Sequence, residues 1–330
     1  MKSMNVKVSI IILNYNGKKF LQKLFHTLEK QTYKDFEVIF VDNASNDESL
    51  KELEEILSRK NVNFDVKVVR NSKNFGYCKG NNIGLMYASG EYIVFLNNDT
   101  FLAFTWLEEL VKVLEENPKI GACQSRLILA GTSIVRSDGF ILDIYGWTQR
   151  FIRNKKNTTP KAPFYLAGAS LIVRKTVLNH VGSFDPKLFF GDYDLSWRIK
   201  LAGYQLESCV NSICYHYGRH ATKILFKDFM EAFHNFKEII RVFIKNYSLK
   251  SLVKRLPPAI MVMLISATYS SLKHKNPIYL GMLVKAIALN LKNLKNTLLR
   301  RRRIQFLRKL DDKEIEKKMS SYPVLLSRTP

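Results

Sequence analysis

"EYIVFLNNDT" occupies residues 91–100, and its reading decides the fold. Tyr92 to Leu96 form an apolar run that is long enough for a strand and too short for a helix. The run ends in two amides and a carboxylate, Asn97, Asn98 and Asp99. Desolvating such a carboxylate is costly unless it is paired, so Asp99 needs a partner in the protein or in a ligand. Three more runs of this kind precede it: "KVSIIILNY" (7–15), "FEVIFVD" (36–42) and "FDVKVVRN" (64–71). All four are nearly continuous in apolar residues, as parallel strands covered on both faces require.

Helical patterns separate the runs. "KKFLQKLFHTLEKQ" puts Phe20, Leu21, Leu24, Phe25 and Leu28 on one face. "SNDESLKELEEILSRK" opens with Ser45 and Asp47 as expected caps and Glu48 in the first turn. "NNIGLMYASG" is a shorter helix. Strand–helix alternation predicts a right-handed, doubly wound α/β unit with a mostly parallel, Rossmann-like sheet. Beyond it, 132–151 reads as a hairpin region with a turn near Ser137–Gly139, and 154–163 as an exposed, mobile polar loop. A strand is expected in 164–175, a short helix after it, and a helix in 191–204 stopped by Gly203.

The chain has 330 residues, 46% of them apolar, and a formal net charge of +23. From residue 222 to 330 there are 23 Lys/Arg against 7 Asp/Glu, a net of +16. Such a charge attracts polyanions: nucleic acid, anionic lipid or phosphorylated small molecules. The division that follows is a globular body at 1–221 and a basic, amphipathic helical region at 222–330. Four cysteines at 78, 123, 209 and 214 contain no Cys-x-x-Cys pair, which fits a reducing compartment and no zinc site. The first residues lack the pattern of a signal peptide. No Gly-x-Gly-x-x-Gly follows the first strand and no Gly-Lys-Ser/Thr loop occurs, which disfavours dinucleotide enzymes and P-loop NTPases.

In open α/β sheets, ligands bind beyond the carboxyl ends of the strands. "NYN" (14–16), "DNASND" (42–47) and "NND" (97–99) all fall there. One such cluster reads as a cap or a turn; three on one edge read as a site. The glycine-bearing "NFGYCKGNNIG" (74–84) could bring backbone close to a diphosphate, with Asn74 and Gly76 at its start.

These stretches, together with "AGASLIVRK", "FDPKLFFGDYDLSWRIKLAGY" and "CYHYG", come in the order seen in family 2 glycosyltransferases of the GT-A fold, which the chain resembles over about residues 6–220. Within that family it most resembles the rhamnosyltransferase-like branch. The resemblance implies a nucleotide-sugar-binding half at 1–100 and an acceptor-binding half at 101–221. It implies that Tyr15 and Asp42 hold the nucleotide base, with Asn74, Gly76, Asn97, Asn98 and His216 around the donor. Asp99 matches the last carboxylate of the Asp-x-Asp metal motif and would meet Mg²⁺ or Mn²⁺ bridging the donor diphosphate. The first position of that motif is Asn97 here, a weaker ligand for a hard cation. Asp192 matches the general base, which takes the proton of an acceptor hydroxyl as the anomeric centre inverts. The usual Glu before it is Gly191. Trp197 is weighed as an acceptor platform against a core aromatic, with Arg198 beside it. Asp194 is read as structural, paired with Arg198.

The expected activity is inverting transfer of a sugar from a nucleotide donor to a glycan or lipid-linked acceptor, in polysaccharide or cell-envelope synthesis. The expected location is cytoplasmic, peripheral at the cytoplasmic membrane face. Two alternatives compete with that activity: a glycoside hydrolase using Asp192 and Asp194, and a basic nucleic-acid-binding protein, for which no motif appears. For the tail, three readings compete: association with an anionic membrane surface, a span at 256–272, or packing onto the body.

Overall fold

A computed structural model describes residues 6–59, 62–153, 162–218 and 228–321. The loop expected at 154–163 and the boundary placed at residue 221 lie almost wholly outside the described residues.

The first half is built as the sequence pattern predicts. Strands β1 (Val8–Asn14), β2 (Phe36–Asp42), β3 (Asp65–Arg70) and β4 (Tyr92–Asn97) are parallel, in the spatial order β3-β2-β1-β4. The order reverses between β1 and β4, which is where such sheets open a crevice. The register places Asn14 beside Asp42 and Leu13 beside Asn97, so the three polar strand ends share one edge.

Both faces of β1 are covered. Val8, Ile10 and Ile12 join a core with Leu21, Leu24, Phe25 and Leu28 of α1 (Lys18–Glu29), while Ile11 faces the opposite core. α2 (Ser49–Leu57) covers the α1 side, and α3 (Gly76–Leu85) lies on the other face. α3 approaches β1 so closely that a Cβ on Gly80 or Gly84 would fall 2.5 Å from Leu13 or 2.6 Å from Ile11. β3 departs from expectation: it is an edge strand, and its side chains are exposed or half-buried. The start of α2 also differs. Asp47 does accept from the Ser49 amide, but Ser45 faces the β1 loop, and Glu48 precedes the helix in left-handed backbone.

The second half mixes strand directions. After β5 (Thr100–Leu102) and α4 (Trp106–Glu116), the sheet continues through β10 (Ser170–Arg174), antiparallel to both β4 and β6 (Ile120–Leu129). β11 (Gln205–His216) runs parallel to β6 and returns antiparallel to β5, which brings His216 beside Thr100. The hairpin expected to turn at Ser137–Gly139 turns elsewhere. β7 (Val135–Ser137) pairs with β6, and β8 (Phe140–Leu142) pairs with β9 (Thr148–Arg150) around residues 143–147. The reason is Asp143, whose buried carboxylate accepts from the Tyr145 and Trp147 amides and closes that turn. Two short helices follow, α5 (Lys175–Val181) and α6 (Asp192–Leu201).

The C-terminal region is helical: α7 (Asp228–Asn246), α8 (Leu249–Lys273), α9 (Ile278–Lys292), α10 (Leu294–Leu307) and the single turn α11 (Asp312–Glu316). α7 is no free appendage. Phe233, Phe236, Ile240 and Phe243 join the same buried cluster as Trp197 and Leu195 of α6. α8 passes through Pro257 and Pro258 without ending there.

Buried charge locks this packing. Asp185 is 1% exposed and meets Arg241 Nε at 2.8 Å and Lys245 Nζ at 2.8 Å. Burial alone would raise its pKa, but the two cations dominate and hold the carboxyl far below the usual range. Among the described residues, removing the carboxylate leaves Arg241 in the core without a carboxylate partner and Lys245 with Asp194 alone. Asp185→Ala should therefore cost about 3–5 kcal/mol in urea denaturation. A loss under about 1 kcal/mol would mean that this cluster does not hold α7 in place.

Candidate active site

A cavity of about 280 Å³ opens at the carboxyl edge of the sheet, between the ends of β1 and β4 and the start of α6. Tyr15, Asn74, Gly76, Asn97, Asn98, Asp99, Asp192 and His216 all line it. Eight residues singled out from sequence, spread over 200 positions, thus meet at one surface.

Amides build its floor. Asn14 accepts from Asn98 Nδ2 at 2.7 Å and donates to Asp42 Oδ1 at 3.2 Å and Ser45 Oγ at 3.0 Å. Asp42 also accepts from the Ser45 amide at 3.1 Å. Asp42 is therefore buried beneath the cavity, and its neighbour Asn43 lines it. Asn43 accepts from the Phe75 amide at 3.1 Å and donates to Asn74 Oδ1 at 2.8 Å. These bonds fix the loop before α3. A run of Asn at strand ends was the signal, but sequence alone does not say which of Asp42 and Asn43 borders the cavity.

Among the described residues, Asp99 meets His216. Its Nε2 lies 3.1 Å from Asp99 Oδ1 and 3.3 Å from the Asn97 side-chain amide. One ring nitrogen cannot both donate to Asp99 and accept from Asn97. Nε2 can serve a metal only unprotonated, through its lone pair, and Asn97 can then turn its oxygen toward the same point, since amide orientation is free to do so. An imidazole nitrogen, a carboxylate and an amide oxygen then converge on one point. Among the described residues, no group of three or more His, Cys, Asp or Glu could hold a metal alone. The set fits a hard divalent cation whose remaining ligands come from phosphate oxygens.

Asp192 begins α6 and is half-buried, with its carboxylate on the cavity. Its Oδ2 accepts from the Gly168 amide at 3.1 Å. Burial pushes its carboxyl up to about 6, against the opposing pull of the Gly168, Asp192 and Tyr193 amides. A carboxylate tuned toward neutral pH suits a general base. Gly191 has a packing reason: a Cβ there would lie 2.5 Å from the Cys78 sulfur and 3.3 Å from Phe184. The Glu expected from the family pattern has no room.

Three expectations for α6 resolve differently. Asp194 is fully buried and pairs with Arg198 Nε at 3.0 Å and Lys245 Nζ at 2.8 Å, so it offers no second carboxylate to the cavity. Trp197 is fully buried among Phe164, Phe243 and Tyr247, not at an acceptor surface. Arg198 is spent on Asp194 and the carbonyls of Val181, Gly182 and Ser183. The aromatic wall comes instead from Tyr77, Phe189 and Phe190. Tyr77 is fixed by its hydroxyl, which donates to the Gly168 carbonyl at 2.9 Å. "LFF" carries no periodicity that would distinguish a pocket wall from core.

Comparison with known proteins shows the family and the fold. The family model for glycosyl transferase family 2 matches residues 9–181, just over half the chain, and ends short of Asp192 and His216. An uncharacterized glycosyltransferase of Haemophilus influenzae is 32% identical over 120 residues, 36% of each chain. The poly-β-1,6-N-acetyl-D-glucosamine synthase of Staphylococcus epidermidis is 24% identical over 217 residues, covering 63% of this chain and 49% of that one. The chain thus matches half or less of the length of either relative. A solved mannosyltransferase from Pyrobaculum calidifontis, in complex with GDP-mannose and Mn²⁺, superposes with a TM-score of 0.54 at 17% identity, covering 88% of both chains. That likeness concerns the fold, which is of the GT-A type.

The raised carboxyl of Asp192 has a measurable cost. Unfolded, the group ionises near the ordinary aspartate value; folded, it ionises only near 6. Between those values the unfolded state binds fewer protons, so this group's contribution to stability falls as pH rises. Asp192→Asn should therefore stabilise the protein more at pH 8 than at pH 4, by at most about 3 kcal/mol. Equal effects at both pH values would show that Asp192 titrates normally.

Proposed function

The chain belongs to glycosyl transferase family 2, and we propose that it moves a sugar from a nucleotide-diphosphate donor to an acceptor hydroxyl with inversion, using Asp192 as general base. The observation that carries this reading is the meeting of Asp192 with the Asn97–Asp99–His216 cluster in one cavity at the sheet's carboxyl edge. Asp99 and His216, with Asn97 beside them, would hold Mg²⁺ or Mn²⁺. A cation there would neutralise charge growing on the departing diphosphate. Tyr15, Asn43, Asn74 and Gly76 would bound the nucleotide, and the amides beneath them keep that wall rigid. Asp192 takes the acceptor proton as its oxygen attacks the anomeric carbon, and the Gly168 amide keeps the carboxylate aimed. Phe189 and Phe190 would wall the cavity beside Asp192. A hexose or a rhamnose would fit this chemistry. The hydrolase reading loses its support with Asp194 buried in ion pairs.

For the acceptor, we favour a glycan or lipid-linked glycan of the cell envelope, handled at the cytoplasmic membrane face. The support is the outward face of α8. Val253, Met261, Leu264, Ile265, Tyr269 and Leu272 are all exposed there, and Lys250, Lys254, Lys273 and Lys275 flank them. α8 is long and apolar enough to cross a membrane by length and composition, but basic flanks at both ends also suit a helix lying in an anionic interface.

A ligand that binds only the folded state raises the melting temperature. UDP, GDP and dTDP, with their sugars, should include one that raises it only with Mn²⁺ or Mg²⁺. Asp99→Ala should abolish that shift, and Asp192→Asn should keep it while losing transfer. A metal-independent shift surviving in Asp99→Ala would remove the metal from Asp99. For the membrane, the protein should co-sediment with vesicles containing phosphatidylglycerol but not with pure phosphatidylcholine, and Ile265→Glu should weaken that binding about tenfold or more. Equal binding by Ile265→Glu would move the contact off α8.

A further inference from the structure

Gly191 leaves the position before the base empty, yet a buried carboxylate reaches the same loop from elsewhere. Glu238 of α7 is 1% exposed. Its carboxylate accepts from the backbone amides of both Phe189 and Phe190, the latter at 3.0 Å. Those two residues form the cavity wall immediately before Gly191 and Asp192. The same loop is gripped at its other end, where Asp185 meets Arg241 and Lys245. Glu238, Arg241 and Lys245 stand at i, i+3 and i+7, on one face of α7. Arg241 is in turn held by Thr297 Oγ1 at 2.6 Å and Asn296 Oδ1 at 2.7 Å, both on α10. A carboxyl bonded to two consecutive amides fixes backbone direction as well as distance. Burial pushes that of Glu238 up to about 7, against the pull of Lys237 and those two amides.

We propose that Glu238 is a positioning residue for the transfer step: from α7 it sets the Phe189–Phe190 wall and the start of α6, and so the placement of Asp192 against the acceptor oxygen. This rests on Asp192 being the base. Glu238 touches neither donor nor acceptor. It acts through two peptide groups, and it takes over an orienting task that a side chain at 191 cannot perform here. Lys237 Nζ lies 3.8 Å from the carboxylate and leaves both amide bonds in place.

The test uses the full chain and Glu238→Gln, which keeps the shape and one acceptor oxygen but turns an NH₂ toward the second amide. Two readings are taken. Hydrogen exchange at the Phe189 and Phe190 amides reads the contact itself. Transfer of the sugar to water, with UDP-glucose, UDP-N-acetylglucosamine, GDP-mannose or dTDP-rhamnose, whichever is turned over, reads its consequence. The expected result is exchange about tenfold faster, kcat lower by about tenfold or more, and donor KM within about twofold. Glu238→Ala should lose more than Glu238→Gln. If the alanine variant does not fold, the isosteric one still decides. Unchanged exchange, or faster exchange with unchanged kcat, overturns the proposal and leaves the transferase reading intact. A wild-type protein that turns over none of the donors, with exchange responding as expected, overturns the reading of the site and with it the catalytic part of the proposal.

Discussion

Asn14 is fully buried at the end of β1, and its one amide meets both neighbouring strands at once. Its oxygen accepts a hydrogen bond from Asn98 beyond β4, and its nitrogen donates to Asp42 at the end of β2 and to Ser45 in the next loop. A buried amide left short of partners costs about 1–3 kcal/mol for each missing bond. The three strand ends are therefore held to one geometry. The cavity follows from it: Asn97 and Asp99 meet His216, and the residue between them, Asn98, is held by Asn14.

That edge was legible because two patterns coincided. Apolar runs of strand length located β1, β2 and β4, and each ended in residues that a buried strand would not carry without a reason. The five apolar positions of α1 were legible by the same logic of periodicity, and all five are buried. Failures arose where tertiary context outweighed local chemistry. "SDG" looks like a turn, but Asp143 closes a different one through two amides. Asp138 in that stretch is instead the buried partner of Arg126, at 2.7 Å. Trp197 and Arg198 sit in a segment rich in both polar and aromatic residues, with no amphipathic face to tell inside from outside. All nine residues from Tyr193 to Leu201 are buried, because α7 covers the side of α6 that would otherwise meet water. Asp42 and Asn43 differ by one position in a strand end, and the choice between them is made by which strand Asn14 can reach.

The C-terminal helices bring a different economy of charge. Arg241 and Lys245 carry part of the strong positive excess of the tail, yet they lie inside the protein, neutralised by Asp185 and Asp194. Lys245 bridges the two carboxylates, one from the loop before α6 and one from α6 itself. The basic surplus that remains outside is concentrated on α8, α9 and α10, beside apolar side chains such as Val284, Leu299 and Phe306 that the body leaves uncovered.

The span of chain between the loop and its anchors has a consequence for how the protein comes into being. Phe189 and Glu238 are 49 positions apart, and Asp185 and Lys245 are 60. Arg241 further depends on Asn296 and Thr297, near the end of the chain. During synthesis the parallel sheet can close as soon as β4 has emerged, since β1, β2 and β3 precede it. The loop that leads into α6 has no partner until α7 follows, and Arg241 is not fully held until α10 has left the ribosome. A nascent chain can therefore close its parallel sheet well before the loop into α6 acquires the anchors that hold it.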